Sequence, residues 1–337
     1  MKISGSSLLL SAFALLALLQ AAAAQPALLP KAWVSKDGVD SAGCGGLTSP
    51  CRTPQQAHDN IASGGEISVL TPGDYPGPGL AKLAITKSVH FTNDGVGEAG
   101  IQATGGSTGI SISAGVGDIV TLRGLVIDGQ GTGAFGILLR TANALHVQNC
   151  VIRNFQQTSQ GYGIFVAAVG VSTQLFVSDT LIYNNGSSIG TGGLFIRPQV
   201  SGGVQGAVNA VLDRVHFENN VDGLYMLGDL VTGAGVHVVL RDSVISGNFA
   251  SGVIAQTVAG QAPAFALIER SSMVNNRSFG VVASGPGATF LLKESTITRN
   301  GTGVGTFDSG QLISYRNSTN NNNLGAEGVA TSFLGPF

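Results

Sequence analysis

The stretch Leu240-Arg-Asp-Ser-Val-Ile245 is followed by Asn248, and a short apolar run then begins at Gly252. This three-part pattern returns along most of the chain. Its first part occurs at 122–127, 147–152, 177–182, 212–217, 240–245, 268–273 and 292–297. The polar position reads Gln130, Asn185, Asn220, Asn248, Asn276 and Asn300, with Phe155 as the exception in the second repeat. Repeats of this kind without a helical period predict a solenoid of stacked coils.

The apolar runs indicate the fold class. Each repeat holds roughly three of them, separated by turn residues, which fits three short strands per coil. We therefore predict an all-β, single-stranded, right-handed parallel β-helix. A stacked Asn can bond the turn backbone and the amides above and below it. Since coils stack about 4.8 Å apart, the recurring asparagines should form one line along the axis.

The residue before a stacked Ser or Thr position alternates in charge from coil to coil. It reads Asp179, Arg214, Asp242, Arg270, Glu294 and Arg316. At the coil spacing these charges would pair along the outer surface, although each pair contributes little alone. A misassigned register would put like charges together, so the alternation supports the alignment of the coils.

The ends of such a solenoid must be covered. Thr53 followed by Pro54 is a helix-start signal, and Gly64-Gly65 is expected to end that helix, which we assign as the N-terminal cap. The first, less regular strands are expected at 66–70, 83–92 and 110–113. The predicted segments are a signal peptide at 1–24, a disulfide loop and cap at 25–64, the β-helix at 65–325 and a tail at 326–337.

The first residues have the pattern of an export signal. Lys2 gives a positive start, 8–19 is an apolar core, and Ala22-Ala23-Ala24 is a small-residue cleavage site. The apolar core is short for a membrane span. We therefore predict cleavage and export to the periplasm or the extracellular medium, with no membrane span in the mature chain.

An oxidising compartment would allow Cys44 and Cys51 to form a disulfide across a turn-rich loop. Cys150 falls at an inward position and is expected to be a buried free thiol. The cysteines and the five histidines do not recur at metal-ligand spacing, so no metal or cofactor is expected. A net charge of -2 without a basic cluster argues against a nucleic-acid partner.

A parallel β-helix with a stacked Asn position resembles the pectate-lyase-like superfold, which includes pectate lyases, polygalacturonases, pectin methylesterases and phage tailspikes. Val126-Ile-Asp-Gly-Gln-Gly131 and Asn220-Val-Asp-Gly-Leu224 are similar to two polygalacturonase motifs. The resemblance implies that Asp222 is one of the two carboxyl groups that glycoside hydrolysis needs. The family's aspartate pair would follow one coil later, where this chain has Ala250-Ser251. The alternative interpretation of Asp222 is a turn residue before glycine.

The residues on one outer face of the predicted β-helix indicate a candidate carbohydrate-binding surface. The outward positions on the third strand of each coil read Leu138, Phe165, Phe195, Tyr225, Ile254 and Val282. Rings beside charged groups suit sugars. The candidate ligand-binding residues are therefore Arg140, Phe165, Phe195, Arg197, Tyr225 and Asp229. The alternative is that insertions at 198–207 and 228–235 fold over this face and bury it. A second outward set, expected to be a solvated face, consists of Asp128, Arg153, Tyr183, His216 and Glu218.

These patterns predict an exported β-helix protein that is structural or binds a polysaccharide, without its own catalytic site. The alternative is a polysaccharide lyase or glycoside hydrolase that acts on an acidic glycan, with Asp222 as its one recognisable catalytic candidate. The fold itself does not decide between these functions, because function depends on the groups placed on it.

Overall fold

The computed structural model describes residues 27–335, and this part of the chain contains 31 strands and one short helix. The strands form three parallel sheets, which we call A, B and C in the order in which a coil contributes to them. Sheet A contains Leu29–Val34, Ile61–Val69, Val89–Thr92, Ile119–Arg123, Ala144–Gln148, Ser172–Ser178, Ala207–Asp213, Gly235–Arg241, Ala264–Glu269, Ala288–Lys293, Gln311–Ser314 and Ser332–Phe333. Sheet B contains Gly73–Asp74, Ala99–Gln102, Val126–Asp128, Val151–Arg153, Leu181–Tyr183, His216–Glu218, Val244–Ser246, Ser272–Val274, Thr296–Thr298 and Thr319–Asn321. Sheet C contains Ala81–Ile85, Thr108–Ser113, Phe135–Thr141, Tyr162–Val166, Gly192–Ile196, Asp222–Gly228, Val253–Thr257, Phe279–Ser284 and Thr302–Phe307.

This architecture confirms the predicted all-β parallel β-helix. Strand Ala264–Glu269 shows how the sequence produces it, because its side chains alternate between buried and half-buried. Ala266 and Ile268 enter the core, whereas Phe265 and Leu267 stay on the outer surface. The same alternation in the other coils builds a continuous apolar core along the axis.

The stacked asparagines lie in one buried line, as predicted, and each is at most 1% exposed. In Asn248, Nδ2 donates to Oδ1 of Asn276 at 2.7 Å and to the carbonyl oxygen of Phe217 at 3.3 Å. Its Oδ1 accepts the backbone N–H of Asn220 at 3.0 Å. Because a buried amide is costly unless it is hydrogen-bonded, this ladder holds each coil in register with the next.

The predicted pairing of corner charges is observed for two pairs of neighbouring coils. Arg214 donates to both carboxylate oxygens of Asp179 at 2.7 and 2.9 Å, and Arg270 does the same to Asp242 at 2.8 and 2.9 Å. All six corner residues have positive φ, between 46° and 64°. Their backbones therefore make the sharp bend from sheet A to sheet B, while the side chains lie on the outer surface.

The N-terminal cap is the helix Pro54–Asn60. Oγ1 of Thr53 accepts the N–H of Gln56 at 3.2 Å, so the predicted helix start is confirmed. The predicted stop at Gly64-Gly65 is wrong. The helix ends at Asn60, and both glycines lie inside the following strand, Ile61–Val69, where Gly64 has a φ of 80°.

The first coils are more regular than the sequence indicates. Strand Leu29–Val34, which no repeat predicted, pairs with Ile61–Val69. The single strand expected at 83–92 is two strands, Ala81–Ile85 in sheet C and Val89–Thr92 in sheet A. The chain changes sheets between them without a glycine or proline to mark the turn.

The ladder ends at Asn323. Its Oδ1 accepts the backbone and side-chain N–H groups of Asn300, each at 3.0 Å. Its own side-chain amide donates to Oδ1 of Asn320 at 3.0 Å and to the carboxylate of Glu327. Strand Ser332–Phe333 then adds to the edge of sheet A. The segment after Asn323 therefore folds back over the last coil.

The cysteines have the predicted states. Cys44 and Cys51 form a disulfide, and Cys150 is a buried free thiol. Burial raises the pKa of Cys150 to about 11, so its thiolate, the reactive form, is scarce at neutral pH.

Alkylation should therefore give two results, measured by mass spectrometry. The native protein should remain unmodified at neutral pH, and the protein denatured without reductant should gain a label on one of its three cysteines. Three labels after denaturation would contradict the disulfide, and rapid labelling of the native protein would contradict the burial of Cys150.

No helix within residues 27–335 has the length and apolar character needed to cross a membrane. The predicted signal peptide, residues 1–24, lies outside the described residues.

Candidate functional site

Five aromatic rings form a contiguous cluster on the outer surface of sheet C. The strand register places Phe165, Phe195 and Tyr225 at one position of three successive strands. Phe195 lies 5.2 Å from Phe165 and 5.1 Å from Tyr225, measured between ring centroids. Tyr162 lies 5.3 Å from both Phe165 and Phe195, and Phe135 stacks on Tyr162 at 5.6 Å. We call these five residues the aromatic row.

The aromatic row is partly open to solvent. Phe195, which contacts three of the other rings, is 7% exposed, and the remaining four rings are half-buried. The insertions at 198–207 and 228–235 contact each other, because the N–H of Thr232 donates to Oε1 of Gln205 at 2.9 Å. Full burial of the row beneath these insertions, the alternative considered above, is not observed.

A bidentate ion pair lies beside the rings. Nε and Nη2 of Arg197 donate to the two carboxylate oxygens of Asp229 at 2.8 and 2.5 Å. The hydrogen bonds that Arg197 donates to Asp229 raise the pKa of Arg197 above its usual range. The two groups neutralise each other, and each keeps part of its surface open to solvent. They can therefore still offer donors and acceptors to a ligand.

Tyr225 extends the polar edge of the row. Its hydroxyl donates to Oε1 of Gln256, which is on the next strand of sheet C. Burial raises the pKa of Tyr225 to about 12, and the nearby carboxylates of Asp222 and Asp229 act in the same direction. The phenol is therefore neutral and remains a hydrogen-bond donor at neutral pH.

Arg140 lies at the end of the row that contains Phe135. It is exposed, and it forms no ion pair among residues 27–335. It directly follows Leu139, which pairs with Val166, so it is two coils from Arg197. One uncompensated positive charge therefore accompanies a row whose other charged groups are paired.

Asp222 is buried at the start of a sheet C strand and is 2% exposed. Its Oδ2 accepts the N–H of Gly190 at 2.8 Å, and its Oδ1 accepts the N–H of Ser251 at 3.0 Å. Burial is the main reason that its pKa is raised. The carboxylate thus links the turns of two neighbouring coils.

The second outward set is not uniformly solvated, so that expectation is corrected. Asp128 is 5% exposed and accepts a hydrogen bond from Nε of Arg153 at 2.7 Å. Nη1 of Arg153 also donates to the hydroxyl of Tyr183 at 3.0 Å. His216 and Glu218 form a separate, more exposed pair at 3.0 Å. The face therefore carries two sets of paired groups, one of them partly buried.

One cluster of potential metal ligands occurs within residues 27–335, namely Asp40, Cys44 and Cys51. The two sulfurs are bonded to each other and are therefore not thiolates. Asp40 accepts the backbone N–H groups of Arg52 and Thr53 at 2.8 and 2.9 Å. This cluster stabilises the turn before the helix.

Comparison with solved structures finds a crystal structure of pectate lyase Pel9A, with a TM-score of 0.57. The two chains are 15% identical, and the match covers 90% of this chain and 80% of the other. The chain has a pectate-lyase-like fold. At this identity the similarity shows the fold alone. Comparison with protein-family models gave no match, and neither did comparison with curated proteins.

Three members of this site were not predicted from the sequence, namely Phe135, Tyr162 and Gln256. The sequence does contain a pattern that could have indicated two of them, because Phe135 and Tyr162 each directly precede the glycine inside a sheet C strand. The rings of both residues contact the ring of Phe165. Tyr162 lies three residues before Phe165 on the same strand, and Phe135 lies on the preceding strand of sheet C. Only the spacing between stacked coils reveals that contact.

Proposed function

We propose that the protein binds a polysaccharide along the aromatic row. The observation that carries this proposal is the contiguity of five rings, four of them partly exposed, across four coils of sheet C. Aromatic faces pack well against the apolar faces of sugar rings, and neighbouring polar groups orient the sugar hydroxyls. A row that crosses successive coils suits an extended ligand better than a single small molecule.

The charges beside the row support a ligand with little charge over the rings. Arg197 is neutralised by Asp229, and the phenol of Tyr225 is neutral. Each of these groups can still exchange hydrogen bonds with hydroxyl groups. Arg140 alone offers an unpaired cation, at one end. The proposed ligand is therefore a mainly neutral glycan that carries any acidic residue near Arg140.

The environment of Asp222 supports binding without catalysis. Both of its carboxylate oxygens are engaged by backbone N–H groups, and the residue is buried. Ala250 and Ser251 occupy the positions where polygalacturonases carry a further pair of aspartates. A hydrolase needs two carboxyl groups on either side of the scissile bond. The Cys44–Cys51 disulfide supports the associated proposal that the protein is exported.

The proposal is tested by screening the purified protein against a panel of neutral and acidic polysaccharides, measuring binding and the release of reducing ends in the same samples. We expect binding without release. Tyr225→Ala and Arg197→Ala should each weaken binding by about tenfold, because each removes a central contact.

Tyr183→Ala is the matched control, since Tyr183 is half-buried on sheet B and lies away from the row. It should leave the affinity unchanged. Release of reducing ends, or the same affinity in all three variants with unchanged melting temperatures, would contradict the proposal.

A further inference from the structure

The outer face of sheet A carries an apolar stripe that the proposed function does not use. Six residues occupy one position on six successive strands, and all are half-buried. They are Phe176, Val211, Val239, Leu267, Leu291 and Ile313. At about 4.8 Å per coil the stripe is about 24 Å long. We call it the sheet A stripe. Contiguous apolar surface marks interaction sites, whereas single exposed apolar residues do not.

Two rows of alternating charge run along one side of the sheet A stripe. The nearer row, two residues beyond the stripe, is Asp213, Arg241, Glu269 and Lys293. The outer row is the corner row, Asp179, Arg214, Asp242, Arg270, Glu294 and Arg316. Within the chain, Arg241 contacts Asp213 at 3.0 Å and Lys293 contacts Glu269 at 2.7 Å. Both rows therefore change sign at every coil.

We propose that two copies of this chain pack face to face through the sheet A stripe. They would be related by a two-fold axis that is parallel to the strands and passes between the coils of Val239 and Leu267. Such an axis reverses the order of the coils but keeps the charged rows of both copies on the same side. Val239 then faces Leu267 of the second copy, and the two stripes overlap over their whole length.

Charge complementarity favours a second copy of this chain as the partner. With the order reversed, Asp242 faces Arg270 of the second copy, and Arg241 faces Glu269 of the second copy. The remaining facing pairs are Asp213 with Lys293, Arg214 with Glu294, and Asp179 with Arg316. Every one of these pairs is opposite in sign, so the surface is complementary to itself, as an isologous dimer requires. A different partner would have to reproduce the same alternation.

This inference does not depend on the proposed function. The stripe is on sheet A and the aromatic row is on sheet C, so pairing through sheet A leaves the row accessible. Failure of one proposal therefore leaves the other unaffected. In a dimer of this kind each copy would present one aromatic row.

The first test measures the molar mass of the full chain in solution by sedimentation velocity across a range of micromolar concentrations. We expect a dimer. Leu267→Lys places a charge at the centre of the interface and should raise the dissociation constant by at least about tenfold. Val116→Lys is the matched control, because Val116 is an exposed residue of a turn. It should not change the mass.

The second test exchanges charges across the proposed axis. Asp242→Arg and Arg270→Glu each place two like-charged pairs in the homodimer, so each variant alone should dimerise at least about tenfold more weakly. In a heterodimer of the two variants every facing pair is again opposite in sign. An equimolar mixture should therefore form heterodimers with nearly wild-type affinity.

A wild-type protein that stays monomeric would overturn the proposal. A dimer that is unaffected by Leu267→Lys, or homodimers of the charge variants as strong as the heterodimer, would place the contact on another surface and overturn it equally. The charge exchange keeps the test valid even if Leu267→Lys disturbs the fold.

Discussion

Replacing Asn248 with alanine should lower the free energy of unfolding by about 3 kcal/mol, because the change leaves buried groups unpaired and a small cavity. The backbone N–H of Asn220 loses its acceptor, and the carbonyl oxygen of Phe217 loses a donor. Neither group can reach water, since the position is 1% exposed. The damage extends over two coils, because one side chain bonds the coils on both sides of it.

Urea unfolding followed by circular dichroism measures this effect. Asn143→Ala is the matched control, because Asn143 is exposed, and its substitution should change stability by less than about 0.5 kcal/mol. Similar losses in the two variants would show that the ladder does not stabilise the solenoid.

Replacing Asp222 with asparagine should lower the free energy of unfolding by about 2 kcal/mol, because asparagine has one acceptor oxygen where two are needed. Either the N–H of Gly190 or that of Ser251 would then face an amide NH2 group. Asp37→Asn is the matched control, since the side chain of Asp37 is 72% exposed, and it should have little effect. A catalytic carboxyl would instead show loss of turnover with an unchanged melting temperature.

The pH dependence of the free energy of unfolding provides a second test of the Asp222→Asn substitution. Burial makes the pKa of Asp222 higher in the folded chain than in the unfolded chain. Between those two pKa values the folded state binds more protons, so this group's contribution to stability falls as the pH rises. Asparagine does not titrate. The stability advantage of the wild type over Asp222→Asn should therefore grow as the pH is lowered from neutral towards about 3.9, the ordinary pKa of aspartate.

The periodic part of the fold could be predicted from the sequence because each coil satisfies the same local conditions. Asn220, Asn248 and Asn276 recur with their flanking apolar runs, and stacking turns that recurrence directly into the observed ladder. The corner charges could be predicted for the same reason, since Asp242 and Arg270 pair only in the correct register. The disulfide followed from the short separation of its two cysteines in the chain.

The remaining features depend on contacts between coils that do not recur. Strand Leu29–Val34 pairs with a partner beyond the helix, and no second copy of its pattern exists to reveal it. Asp128 was expected in solvent, but the next coil supplies Arg153 and buries it. In the candidate site the sequence indicated the outward rings, whereas the contribution of Tyr162 depends on the distance between neighbouring strands. Side-chain reach across coils is not encoded in the repeat.

The end of the ladder at Asn323 has a consequence for polymerisation. The last rung of a parallel stack is a template on which a strand from another molecule can add, as in cross-β fibrils. Here the side-chain amide of Asn323 is directed to Glu327 of its own chain, and Ser332–Phe333 occupies the edge of sheet A. An incoming strand would have to displace both contacts before it could extend the stack. These two contacts therefore oppose end-to-end growth of the stack beyond its last coil.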